Sequence, residues 1–184
     1  EDDYFQSSLF TIARRRILWL LILVLANGLT TKVIAMNDQI LKEIVLLAAF
    51  IPLLIGTGGN VGAQSSTVVI RGLSTQKLKS LGAVKAVVKE AITGALLGVL
   101  MMLVVFPFAW WQGEGPLIAS AVGISLISIT TLAATTGAIL PLLFDKMRLD
   151  PALMSSPFIT TVTDIAGVFI YLNTAKWLLS SSLT

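Results

Sequence analysis

Five apolar stretches, each long enough to cross a lipid bilayer, limit what this chain can fold into. They are Ile17–Ala35, Ile44–Ile70, Ala91–Trp111, Leu117–Phe144 and Pro157–Leu179. A transmembrane helix needs about 20 mostly apolar residues, and only 12% of the 184 residues are charged. The sequence therefore predicts an all-α membrane protein with five transmembrane helices. Residues 1–16 are expected to form a cytoplasmic juxtamembrane linker, and residues 17–184 the membrane domain.

The positive charges alternate between the two ends of these stretches. Ten of the thirteen Lys and Arg residues precede the first stretch, or lie between the second and third or between the fourth and fifth. Because loops rich in Lys and Arg stay on the cytoplasmic side, we expect a plasma-membrane protein with its N-terminus in the cytoplasm and its C-terminus outside. The chain begins at Glu1 rather than Met, so we expect a piece of a longer protein.

The composition excludes several classes of chemistry. With neither Cys nor His in the sequence, it has no disulfides, thiol nucleophile, Cys or His zinc site, or imidazole-dependent triad. The net charge of +3 does not indicate a nucleic-acid partner, because the basic residues lie at the ends of apolar runs. The segment GTGGNVGAQS lacks the Lys of a phosphate loop and has Val61 where GxGxxG needs its last glycine. Enzymatic activity is not expected; an intramembrane hydrolase would need a second acid from another copy of the chain.

Asp164 is the single acidic residue well inside an apolar stretch, and it is expected nearer the cytoplasmic end. A carboxylate at membrane depth is costly and usually functional. No Lys or Arg lies at a comparable depth, which leaves a bound ion, protonation, or hydrogen bonds to Ser and Thr. At helical spacing, Ser156, Thr160, Gly167 and Tyr171 share its face.

The second stretch is unusually rich in residues that weaken a helix. It contains Pro52 and four glycines, and its polar residues Asn60, Gln64 and Thr67 line one face. This pattern predicts an interrupted helix beside a cavity. For other threonines in the spans, packing between helices is favoured over ion contact: Thr130, Thr131, Thr135, Thr136, Thr161 and Thr163.

Two segments, GGNVGAQSSTVVIRG and PALMSSPFITTVTDIAGVFIY, resemble the transmembrane domain of the MgtE family of magnesium channels. The resemblance implies a homodimer with a pore on the two-fold axis, lined mainly by the second and fifth helices. It also implies a cytoplasmic N-domain, a CBS module and a plug helix, none of which lies in this sequence. Carried over by position, it assigns ion contacts to Asp164, Thr160, Gly167, Gly59 and Asn60.

The resemblance implies Mg²⁺ as the transported ion, with Mn²⁺, Co²⁺ or Ca²⁺ as further ions for the same site. Two copies of Asp164 would face a hydrated Mg²⁺, which releases its water reluctantly. The residues leave open a proton-coupled secondary transporter, in which Asp164 takes up and releases a proton. They also leave open a membrane anchor whose polar residues only pack helices.

Overall fold

The computed structural model describes residues 9–75 and 82–181 and is helical through almost all of them. No β-strand occurs within those ranges, so the predicted all-α class is confirmed. A π-helical turn at Trp110–Glu114 follows the fourth helix. The helices are α1 (Leu9–Met36), α2 (Asp38–Glu43), α3 (Leu46–Ser74), α4 (Ala83–Ala109), α5 (Gly115–Lys146) and α6 (Pro151–Ser181).

Four helices of the described part are long and apolar enough to span a membrane. They are α3, α4 with its extension to Gln112, α5, and Pro157–Ser180 of α6, which correspond to the second to fifth predicted stretches. The first stretch lies within α1, where Leu20–Met36 forms a shorter apolar segment. Helix α1 begins at Leu9, so part of the expected linker is helical. A fifth crossing, by α1, stays a prediction.

Helix α5 lies at the centre of the protomer and packs against α3, α4 and α6. In its apolar window 61% of the residues are buried, against 17% in that of α4. Helix α4 reaches α5 through glycines: a Cβ on Gly94 would lie 2.5 Å from the carbonyl oxygen of Thr130. After its first turns, which carry Lys85 and Lys89, much of the remaining surface of α4 is exposed and apolar, as expected of a helix that faces lipid.

Helix α3 is continuous from Leu46 to Ser74, with Pro52 inside it. The predicted interruption is therefore wrong. Backbone groups in a bilayer must be hydrogen-bonded within the protein, which favours an unbroken helix despite the low helix propensity of glycine. The glycines serve close packing instead: a Cβ on Gly58 would lie 2.7 Å from Cγ2 of Ile129, and one on Gly62 would lie 3.2 Å from the carbonyl oxygen of Ala133.

Several threonines turn their hydroxyls towards their own helices. The Oγ1 of Thr130 donates to the carbonyl oxygen of Leu126 at 2.8 Å, and Thr131 and Thr135 make the same bond to the residue four positions earlier. Thr163 donates to the carbonyl oxygen of Ile159 at 2.9 Å. Their hydroxyl protons are thus used inside one helix, and the Oγ1 of Thr130 also lies against Gly98 of α4.

Candidate ion site

Asp164 lies close to the midpoint of α6. It lies 13 positions after Pro151 at the start of the helix and 17 before Ser181 at its end, which corresponds to about 20 Å and about 25 Å. Within the membrane-length part of α6, Pro157–Ser180, it lies seven positions after the first residue and sixteen before the last, and that the nearer end is the cytoplasmic one stays a prediction. Its side chain is half-buried. Within the described residues, no hydrogen bond or ion pair engages its carboxylate.

Thr160 lies one turn before Asp164 and is exposed. Its Oγ1 donates to the carbonyl oxygen of Pro157 at 3.0 Å. Because that bond uses the hydroxyl proton, the lone pairs of the oxygen stay available as acceptors. Thr160 and Asp164 therefore place a hydroxyl oxygen and a carboxylate on successive turns of one helix.

Glycine allows α3 to come close to these residues. A Cβ on Gly59 would lie 3.8 Å from Cγ2 of Thr160, so the two helices touch at this level. Asn60, the next residue, is exposed and adds an amide with a carbonyl acceptor beside the contact. The structure thus places Gly59 of α3 against Thr160 of α6, with Asn60 next to Gly59 in the chain and Asp164 one turn after Thr160.

The fifth predicted residue, Gly167, is buried. A Cβ there would lie 3.6 Å from Cδ1 of Ile129 in α5, so Gly167 faces the interior of the protomer rather than the exposed side of α6. Tyr171 is also fully buried. The side chain of Ser156 lies outside the described residues.

The exposed side of α3 carries a polar stripe, defined as Asn60, Gln64, Thr67 and Arg71. All four residues are exposed, and spacings of four, three and four place them on one side of the helix. The sequence pattern identified the first three; Arg71, four residues after Thr67, extends the stripe by the same spacing. Polar side chains avoid hydrocarbon, so this side of α3 requires water or another protein surface.

Helix α4 carries an apolar stripe, in contrast to the polar stripe of α3, and the rest of the described chain leaves this stripe exposed as well. All its members are exposed: Val84, Val88, Ile92, Leu96, Leu100 and Leu103. These side chains suit lipid tails, which carry no hydrogen-bonding groups. The described part of the chain therefore has an uncovered side fit for lipid on α4 and an uncovered side unfit for it on α3.

One protomer supplies little negative charge to a cation. In the described ranges, no three Asp or Glu side chains come together, and the sequence has no His or Cys. A divalent ion beside Asp164 would meet one carboxylate and the neutral acceptors of Thr160 and Asn60. A single copy would leave half of the ion's charge unbalanced.

Bilayer-length helices, a carboxylate inside one of them and a polar side unsuited to lipid indicate a class: membrane proteins that carry a solute or ion across the bilayer. The profile of the MgtE family, described as divalent cation transporter, matches residues 51–174. The chain belongs to the MgtE family, and the resemblance seen in its two motifs is confirmed.

Individual relatives agree with this membership. The chain is 37% identical over 166 residues to the magnesium transporter MgtE of Thermus thermophilus. The aligned residues make up 90% of this chain and 37% of that protein. The chain is 34% identical over 176 residues to the magnesium transporter MgtE of Bacillus subtilis, covering 95% of this chain and 39% of that protein. The chain thus spans less than two fifths of the length of these relatives.

Proposed function

We propose that two copies of this chain form a channel for Mg²⁺, with a pore on the two-fold axis between the uncovered sides of α3 and α6. One observation carries the proposal: Asp164 lies inside a membrane-length apolar segment, half-buried, with no charged partner among the described residues. Its family membership and the names of its relatives as magnesium transporters favour Mg²⁺ as the ion.

The groups around Asp164 suit a hydrated magnesium ion. Mg²⁺ keeps most of its waters, and the hydrogens of those waters point outward, so the surrounding site must accept hydrogen bonds. The carboxylate of Asp164, the hydroxyl oxygen of Thr160 and the amide oxygen of Asn60 are all acceptors. Gly59 leaves space between α3 and α6, while the buried Gly167 contributes by fitting α6 against Ile129.

A second copy of the chain accounts for the charge and for the polar stripe. On a two-fold axis, two Asp164 carboxylates would balance the double charge of one ion. The polar stripes of two α3 helices would then face water in the pore instead of lipid. Mn²⁺, Co²⁺ and Ca²⁺ carry the same charge and are expected to compete at this site according to their hydration.

The proposed topology has five crossings, with the N-terminus in the cytoplasm and the C-terminus outside the plasma membrane. Spacing along α4 agrees with it: Lys89 and Trp110 are 21 residues apart, or about 31 Å in a helix, which matches the hydrocarbon core. Lys is favoured on the cytoplasmic side, and Trp is favoured at either interface.

A proton-coupled divalent-cation transporter is the second candidate. The same lack of a charged partner at Asp164 would let this carboxylate bind and release a proton during each cycle. The two candidates differ in what drives the ion: a channel needs only the gradient of Mg²⁺, whereas the carrier also needs a proton gradient.

Uptake of Mg²⁺ into liposomes separates these functions. The purified chain is compared with Asp164→Asn and with Asp145→Asn, which removes an exposed carboxylate at the end of α5. We expect uptake without a proton gradient that is lost in Asp164→Asn and kept in Asp145→Asn. Uptake that requires the proton gradient would establish the carrier, and equal uptake by both variants would refute the site.

A further inference from the structure

The N-terminal turns of α4 carry a shallow, open surface depression, here named the basic cleft. It lies apart from Asp164, at the end of α4 where Lys residues are concentrated. Its described lining residues belong to α4: Val84, Lys85, Val88, Lys89, Ile92 and Thr93. The cleft therefore combines two cations with an apolar wall on the surface of a membrane-spanning helix.

The two lysines are suited to bind one anionic group together. Lys85 and Lys89 are both exposed and stand one turn apart, a spacing that places their Cβ atoms about 6 Å from each other. Neither forms an ion pair with a described residue. The hydroxyl of Thr93 donates to the carbonyl oxygen of Lys89 at 2.9 Å and leaves its oxygen as an acceptor. The cleft thus has an excess of positive charge and no internal anion.

The apolar wall continues from the cleft into the membrane. Val84, Val88 and Ile92 are 76%, 52% and 65% exposed, and they are the first members of the apolar stripe of α4. A soluble anion or an acidic protein segment would use the lysines but would leave this continuous wall uncovered. An acyl chain fits the wall, and the headgroup of the same molecule would reach the lysines.

We propose that the basic cleft binds an anionic phospholipid, with the phosphate between Lys85 and Lys89 and an acyl chain along the apolar stripe. Helix α4 is the most apolar of the four candidate spans and the least buried, so lipid is its main neighbour. Basic residues at a membrane surface attract anionic headgroups. The proposal requires only that α4 crosses the membrane and is independent of ion conduction.

Binding of phosphatidylglycerol to the purified chain tests the proposal. The delipidated protein is titrated with phosphatidylglycerol or phosphatidylcholine in detergent, and bound lipid is counted by native mass spectrometry. Lys85→Gln with Lys89→Gln is compared with Lys146→Gln with Arg148→Gln, which removes two exposed charges outside the cleft. At the attraction typical of basic residues near anionic lipid, loss of both cleft lysines is expected to weaken binding roughly 30-fold.

Three results would overturn the proposal. The cleft variant could bind phosphatidylglycerol as the native chain does, or the control variant could lose as much affinity, which would indicate attraction by net charge alone. Inorganic phosphate or poly-glutamate could displace the lipid at comparable headgroup concentration, which would indicate a site for a soluble anion or an acidic protein segment. The expected result is a loss confined to the cleft variant, with a preference for phosphatidylglycerol over phosphatidylcholine.

Discussion

The backbones of Gly62 in α3 and Gly137 in α5 are in direct contact. A Cβ on Gly137 would clash with the carbonyl oxygen of Gly62 and would lie 3.1 Å from its carbonyl carbon. The same Cβ would lie 3.1 Å from the Cβ of Ser65. This contact fixes α3 on α5, the helix that also supports α6, and so determines the separation of the two helices that carry the candidate ion site.

Gly137→Ala is expected to destabilise the protomer. The atoms that the new methyl group would meet belong to the backbone and cannot rotate away, and overpacking of this kind typically costs about 1–3 kcal/mol. Thermal unfolding in detergent, followed by circular dichroism, would show a lower midpoint. Gly28→Ala is the matched control, because a Cβ at Gly28 has no neighbour within 4 Å. A midpoint for Gly137→Ala equal to that of the control would contradict the contact.

Thr160→Val should reduce Mg²⁺ flux without loss of stability. The substitution keeps the shape of the side chain and removes the exposed oxygen next to Asp164, so one hydrogen bond to the hydrated ion disappears. A loss of roughly 1 kcal/mol corresponds to about fivefold in flux. Uptake into liposomes measures it.

Thr163→Val is the control for this substitution. Thr163 is fully buried, and its hydroxyl donates to Ile159 and to Thr160 within α6. We expect its flux to stay near that of the native chain. If Thr163→Val lowers flux as much as Thr160→Val does, the effect arises from the packing of α6 and not from an exposed acceptor.

Gln64→Cys should react with a water-soluble thiol reagent, whereas Leu96→Cys should not. Both residues are exposed in the protomer, but Gln64 belongs to the polar stripe and Leu96 to the apolar stripe. Thiols react as thiolates, which form in water and not in hydrocarbon. The sequence has no Cys, so each variant carries one thiol. Rapid labelling of both positions, or of neither, would contradict the assignment of α3 to water and α4 to lipid.

Arg14→Cys and Asp38→Cys should be labelled from opposite sides of the membrane. Residues 14 and 38 are exposed near the two ends of α1, and the proposed topology places the former in the cytoplasm and the latter outside. Impermeant maleimide added to intact spheroplasts should reach residue 38 alone. Labelling of both positions from outside would show that α1 does not cross, and would leave four spans.

The sequence predicted the membrane class and the longest helices because apolar length is a local property. The sequence also singled out Asp164 as a candidate ion ligand, since a carboxylate in an apolar run can be noticed without tertiary information, and this assignment stays a prediction. The predicted interruption of α3 was wrong because it rested on the low helix propensity of glycine. In the structure these glycines instead allow α5 and α6 to pack closely against α3. That packing depends on residues such as Ile129 and Ala133, which are distant in the chain.

The placement of Gly167 could not be predicted from helical spacing either. A step of three residues from Asp164 moves the direction of a side chain by about 60° around the helix axis, which suffices to turn from the exposed side of α6 to the side that meets Ile129. Periodicity alone gives the angles between residues. Where the boundary between exposed and buried falls is decided by which neighbouring helix lies there.

The inward-turned hydroxyls of α6 affect how easily α3 and α6 could slide past each other. The hydroxyls of Thr160 and Thr163 donate to carbonyl oxygens of α6 itself. The atoms that face Gly59 and Gly58 are carbons, Cγ2 of Thr160 and Cβ of Thr163. A small displacement between the two helices would break no hydrogen bond of these two threonines, because both bonds lie within α6. The contact of Gly59 with Thr160 between α3 and α6 therefore depends on the shapes of the two surfaces and not on a hydrogen bond from Thr160 or Thr163.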